Sequence, residues 1–157
     1  MAKADQAQLL AAARAEVEDF HVFFDDWFTG TCPQSETVLE ARHANRLAQD
    51  FQLIYPGGGV LDRDGLIQGI RGAYGKSPGY KTQIRDVRLR PMEAEGYLLV
   101  NYEEWQKNAV NSTPPNNGRL SSAVLRIVSD DPIKLEWLHL HETWLPADVM
   151  AADAFDF

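Results

Sequence analysis

Residues 135–146 read Leu-Glu-Trp-Leu-His-Leu-His-Glu-Thr-Trp-Leu-Pro, with two tryptophans, two histidines and two glutamates in twelve positions. Side chains alternate along a strand, which sets Trp137, His139, His141 and Thr143 on one face. Glu136, Leu138, Leu140, Glu142 and Trp144 fall on the other. Neither face is wholly apolar or wholly polar. Such a strand is expected to turn one side to a core and to carry polar tips that need partners or a ligand.

Period-two patterning extends upstream of this stretch. Tyr80–Met92, Tyr97–Val110, Leu120–Val128 and Ile133–Leu145 read as four strands in succession. Glu95-Gly96, Pro114-Pro115-Asn116-Asn117-Gly118 and Ser129-Asp130-Asp131-Pro132 form the breaks, all of turn-forming composition. Short connections between long strands imply an antiparallel meander.

Ahead of the strands the period is helical. Leu9, Ala13, Val17, Phe20, Phe24 and Trp27 recur at three- and four-residue steps, so Asp5–Phe28 is expected to form a long helix with one apolar stripe. Gly30 and Pro33 end it. A second helix starts near Ser35–Thr37, where Thr37 and Glu40 have capping-box spacing. Phe51–Tyr55 alternates as a short strand, stopped by Pro56 and three glycines. That glycine run lacks the lysine and hydroxyl residue of a phosphate-binding loop. Asp62 caps a third helix reaching about Tyr74. After Pro146, Ala147–Phe157 reads as a short helix or a loose tail. The result is an α+β domain over residues 1–157, with a curved antiparallel sheet wrapped around the N-terminal helices in a cone open at one end. Ligands commonly sit in such a concavity.

Composition narrows the classes. The 157 residues are 45% hydrophobic and 24% charged, as in an ordinary folded domain. A formal net charge of −8 argues against nucleic acid and anionic membranes as partners. Arg85, Arg88 and Arg90 are diluted by Asp86, Glu93 and Glu95. No apolar run suits a bilayer or a signal peptide, and the single cysteine, Cys32, fits a reducing cytoplasm. Asn111-Ser112-Thr113 is read as a chance glycosylation triplet in a loop.

Three segments carry a resemblance: Asp50-Phe51-Gln52-Leu53-Ile54-Tyr55-Pro56-Gly57-Gly58, Tyr102-Glu103-Glu104-Trp105-Gln106, and Trp137 to Pro146. With the order of elements they make the chain similar to the nuclear transport factor 2-like superfamily, in a bacterial branch near the SnoaL-like polyketide cyclases. The resemblance implies a cystatin-like α+β barrel, a central pocket and a homodimer formed through the sheet. It does not imply one activity, because isomerases, dehydratases, cyclases, oligomerisation domains and transport factors share this fold. The aspartate, tyrosine and protonated aspartic acid of its steroid isomerases do not map onto this chain.

The candidate chemistry centres on Glu104. Val100, Tyr102, Glu104 and Gln106 share one strand face. If that face is inward, Tyr102 and Glu104 converge with His139 or His141, and a carboxylate beside an imidazole in an apolar pocket can move protons. Glu104, His139 and His141 are thus the catalytic candidates, with a structural ion pair as the simpler alternative. Tyr55 and Tyr74 at the mouth, with Tyr102, Trp105 and Gln106, are candidate ligand contacts, although Trp105 also suits packing. His139 and His141 lack the further ligands zinc requires unless Glu104, His43 or His21 arrives through the tertiary fold, so no metal is expected. The reading is a small-molecule-binding protein that acts by proton transfer without a cofactor. Its rival is a non-catalytic dimerisation or accessory module. A bulge, for instance near Asp86, would exchange every inward residue for its neighbour.

Overall fold

Asp5 opens the first helix, α1 (Gln6–Thr29), in the computed structural model, which describes residues 4–90 and 92–157. Met1–Lys3 of the N-terminal reading and Pro91 of the expected strand 80–92 lie outside the described residues. The Asp5 carboxylate accepts the Gln8 backbone N–H, and the Gln8 side chain accepts that of Asp5, closing a capping box. Ala13, Val17, Phe20, Phe23 and Trp27 are buried on one stripe. Gly30, at φ 76°, takes the left-handed turn that ends the helix, and its N–H returns to the Asp26 and Trp27 carbonyls.

Helix α2 (Glu36–Arg42) is capped by Ser35, whose hydroxyl accepts from Val38 N–H at 3.2 Å, and not by the Thr37–Glu40 pair expected from spacing. A 3-10 turn, Ala44–Arg46, leads into β1 (Leu47–Ile54), four residues longer at its start than the expected strand. Strand β2 (Val60–Asp62) then folds back on β1 where only a break was expected. Asp62 caps α3 (Arg63–Gly72) by accepting from Gly65 N–H. The remaining elements are β3 (Lys81–Arg90), β4 (Tyr97–Lys107), β5 (Asn117–Asp130), β6 (Ile133–Trp144) and α4 (Ala147–Ala152).

The six strands form one sheet in the order β2-β1-β6-β5-β4-β3. The expected meander β3–β6 is antiparallel, but β1 joins the edge of β6 in parallel. A parallel partner needs a long crossover, which here is the whole intervening chain. With α1 packed across the concave side, the domain is the expected α+β cone.

Besides a register shift between Leu47 and Gln52 of β1, three irregularities bend the antiparallel part of the sheet. At Asp86 (φ 57°) the β3–β4 register shifts, so Ile84 and then Val87 and Leu89 turn inward. A second shift falls between Ile127 and Ser129. The third falls at Leu138, where Trp137 pairs with Leu125 but His139 pairs with the adjacent Val124. That extra residue reverses the alternation: Leu135 and Trp137 are buried before it, Leu140 and Glu142 after it. His139 and His141 therefore share the outer face, contrary to the expectation that they lie beside Trp137.

The tail is ordered against the outer face. Arg85 pairs with Asp153 at 2.7 Å and lies over the Trp105 ring, which Phe155 meets edge-on at 5.6 Å.

Candidate functional site

A cavity of about 210 Å³ lies between α1, α3 and the inner face of the sheet. Its apolar wall comes from Phe20, Phe24 and Phe28 of α1, Phe51 and Leu53 of β1, Leu66 and Ile70 of α3, and Leu140 of β6. Its polar wall holds His21, Tyr80, Glu104, Gln106 and Arg119, with Asn111 and Ser112 from the β4–β5 loop.

Glu104 is brought inward by the alternation of β4, in which Leu98, Val100, Tyr102, Glu104 and Gln106 are all buried. His21 reaches it from α1, with Nε2 3.3 Å from Glu104 Oε2 and both side chains almost fully buried. The other ring nitrogen, Nδ1, is 2.7 Å from the Val17 carbonyl. Both nitrogens thus face oxygen acceptors, and both carry hydrogen when the imidazole is charged. Burial alone pulls the His21 pKa down, but the Glu104 charge and hydrogen bond, with the Val17 carbonyl, lift it above the ordinary histidine value.

A second carboxyl completes the cluster. Glu142, opposite Ser121 on the neighbouring strand, is buried and accepts from Arg119 Nη1 at 2.9 Å. Arg119, opposite Glu104 on β5, also donates from Nη2 to Gln106 Oε1 at 3.1 Å, and Gln106 donates to Glu104 Oε1 at 2.5 Å. Burial pushes the Glu142 carboxyl up, and the Glu104 charge and hydrogen bond push it further, to about 7 against the pull of Arg119. For Glu104, burial pushes the other way from its partners. His21, Arg119 and Gln106 win and hold it well below the usual carboxylate range. Burial and its neighbour thus make Glu142 the weaker acid of the two, and Glu104 the stronger.

Burial, then the Glu104 charge, pushes the Tyr80 and Tyr102 phenols up, so both stay neutral. Tyr102 Oη and Ser121 Oγ, opposite one another on β4 and β5, are buried without a well-formed hydrogen bond among the described residues.

Of the residues singled out in the sequence, the structure brings Glu104 and Gln106 to the cavity wall. Tyr102 turns inward on the same strand, beneath His21, with ring centroids 5.6 Å apart. The others lie elsewhere. His139 and His141 are on the outer face, His141 exposed, and the bulge at Leu138 is the reason. Among the described residues no group of three metal-binding side chains forms around them. Trp105 faces outward beneath Arg85 and Phe155, and its indole N–H donates to Glu103. Tyr55 is exposed in the turn after β1. Tyr74 is a structural clamp whose hydroxyl donates to the Cys32 and Gly30 carbonyls while its ring packs on Trp27.

Three side chains of the cluster were not among the candidate site residues read from the sequence: His21, Arg119 and Glu142. His21 did leave a signal, because Val17, His21, Phe24 and Phe28 keep the three- and four-residue steps of the buried stripe. Arg119 sits just before the expected start of its strand, and Glu142 was hidden by the bulge.

The cone-shaped α+β architecture defines the class of fold, and comparisons with known proteins agree. A nuclear transport factor 2-like protein of unknown function from Pseudomonas aeruginosa is 32% identical with a TM-score of 0.72, covering 86% of this chain and 99% of that one. A protein provisionally named a dehydratase of the same family, from Streptomyces avermitilis, shares the fold at 12% identity and TM-score 0.65, covering 91% and 100%. A provisionally named calcium/calmodulin-dependent protein kinase type II association domain from Thiobacillus denitrificans shares it at 18% identity and TM-score 0.59, covering 85% and 94%. No curated protein matches the chain. The chain belongs to the nuclear transport factor 2-like proteins and, by a match over residues 13–146, to the family described as Sucrose-6-phosphate phosphohydrolase C-terminal. Among the described residues no helix is long and apolar enough to cross a membrane.

Proposed function

We propose that the chain binds a small molecule in its cavity and moves a proton on it, with Glu104 as the base and His21 as its charged partner. The observation that carries this reading is the His21–Glu104 pair, buried at the wall of a cavity whose other side is largely phenylalanine and aliphatic side chains. Inside such a site an ion pair is poorly screened, and a carboxylate held ionised beside a proton donor can take a proton from carbon or oxygen while the imidazolium supplies one. Isomerisation, dehydration and cyclisation all need that exchange. The Streptomyces avermitilis relative's provisional name supports the dehydratase member of this group.

Deuterium incorporation tests the proposal. A panel of enolisable ketones incubated with the protein in heavy water is expected to gain deuterium by mass spectrometry. Glu104→Gln, which keeps the shape and most hydrogen bonds, is expected to slow that gain by at least about a hundredfold. Equal rates in a folded variant would remove Glu104 from the mechanism.

A second reading is a non-catalytic association module, a homodimer built through the outer sheet face. Exposed Leu120, Val128 and Tyr97 there, among Asn101, Ser122, His139 and His141, support it. So do the Thiobacillus denitrificans relative's name and a family description that refers to the C-terminal part of a phosphohydrolase. Sedimentation velocity distinguishes a dimer from a monomer, and a dimer that catalyses no exchange would favour this reading.

A further inference from the structure

Charge balance, free donors and size together restrict what the cavity accepts. Among the described residues its wall carries three charged side chains, His21, Glu104 and Arg119, and each faces an opposite charge. His21 Nε2 lies 3.3 Å from Glu104 Oε2, and Arg119 Nη1 lies 2.9 Å from Glu142 Oε2, with His21 and both glutamates almost fully buried. The His21 ring has an oxygen at each nitrogen, Glu104 on one side and the Val17 carbonyl 2.7 Å away on the other, which is the setting of an imidazolium. Burial keeps the Tyr80 phenol on the same wall neutral. Two closed ion pairs leave no charge for a ligand to neutralise. An ion brought beside them would lose its hydration without gaining a counter-ion.

Hydrogen-bond donors are what the pairs leave unused. Arg119 Nη2 donates to Gln106 at 3.1 Å and to the Ser112 hydroxyl at 3.4 Å, Nε donates to Asn117 at 3.4 Å, and Nη1 gives one hydrogen to Glu142. The second Nη1 hydrogen and the Ser112 hydroxyl hydrogen are left for an acceptor, and both residues line the cavity. Arg119 stands opposite Glu104 in the β4–β5 register, so an oxygen held by Arg119 sets the atoms next to it beside the carboxylate.

The rest of the cavity is apolar and small. At about 210 Å³ it is somewhat larger than the roughly 150 Å³ apolar cavity that holds one benzene. Phe20, Phe24, Phe28 and Phe51 offer it ring faces and edges. One ring with a small substituent fits.

We propose that the cavity takes an uncharged monocyclic ketone and seats its carbonyl oxygen on Arg119 and Ser112. The inference rests on the pocket reading above and adds the ligand's charge, its size and the seat of its oxygen. When Glu104 removes a proton from the carbon beside the carbonyl, the C–H bond breaks, an O–H bond forms on Glu104 and the electron pair moves to the carbonyl oxygen. Arg119 and the Ser112 hydroxyl stand where that negative charge develops, and donors so placed favour the step.

Protein-observed NMR titrations with acetophenone, ethylbenzene, benzoate and benzylammonium test it. They are run at about pH 8, above the value of about 7 to which burial and the Glu104 charge push Glu142, so that both pairs are closed. Acetophenone is expected to bind at least about tenfold more tightly than benzoate or benzylammonium, which must shed their hydration. It is also expected to bind about tenfold more tightly than ethylbenzene, which lacks the oxygen. Ser112→Ala leaves both ion pairs in place and is expected to weaken acetophenone by about threefold or more, with ethylbenzene unchanged. Benzoate or benzylammonium binding as tightly as acetophenone would overturn the choice of an uncharged ligand. Ethylbenzene binding as tightly, or an acetophenone affinity unchanged in Ser112→Ala, would overturn the seat of the oxygen. In each of these cases the pocket itself still stands. If none of the probes binds at millimolar concentration the ligand class is wrong, and the deuterium exchange then decides whether Glu104 remains a base.

Discussion

His21 and His43 are buried against the same two rings, Phe20 and Phe24, and yet their pKa values move in opposite directions. Burial pulls both toward neutrality. At the cavity wall Glu104 stands beside His21 and reverses the effect. In the aromatic core burial dominates, Arg46 and Arg63 add to it, and His43 falls to about 3. Among the described residues both of its ring nitrogens lack a hydrogen-bond partner, and Phe23 stacks on it at 5.5 Å. Burial by itself does not make a histidine functional. The partner decides.

The largest effect expected from this contrast is on acid stability. His43 is neutral in the folded chain and near its ordinary value of 6.5 when unfolded, so the unfolded state binds more protons below that value. Stability is therefore lost as pH falls, by as much as about 5 kcal/mol between pH 6.5 and 3 at 1.4 kcal/mol per unit. His43→Phe keeps the ring and abolishes this contribution. Urea unfolding of both proteins across that range checks it, and parallel stability curves would break the contrast.

Next in size is the loss of the partner. Glu104→Leu leaves the His21 charge buried and unpaired, which is expected to cost about 3–5 kcal/mol at neutral pH. His21 should respond by giving up its proton, which nitrogen-15 shifts of the imidazole report. An imidazolium that persists in the variant would mean that Glu104 is not what holds the charge.

The smallest effect is expected from His139 and His141. Both lie on the outer face, and His141 is exposed. Changing either to Ala is expected to shift stability by no more than about 0.5 kcal/mol. A loss several times larger, and dependent on protein concentration, would show that this face is covered by a second copy.

Much of the fold could be read locally. The stripe of α1, the caps at Asp62 and Gly30, and the period of two in β3–β6 are properties of neighbouring residues, and they place three helices ahead of a curved sheet. Glu104 and Gln106 turn inward as the alternation of β4 requires, because that strand carries no bulge between Tyr97 and its end. The site was legible only in part. In β6 one extra residue at Leu138 sends Glu142 to the cluster and the two histidines to the surface.

From sequence alone came the class of fold, the set of residues that share one face of β4 and the acidic composition of the chain, since each depends on periodicity or composition. Tertiary structure decided the parallel seat of β1, the face of β6 and the meeting of His21, Glu104, Arg119 and Glu142. These residues come from four elements separated by up to 121 positions, as Glu16 and Trp137 also are when they bond across the core. Register and long-range contact are set by how whole elements pack, and a bulge of one residue is stabilised by that packing rather than by the residues on either side of it.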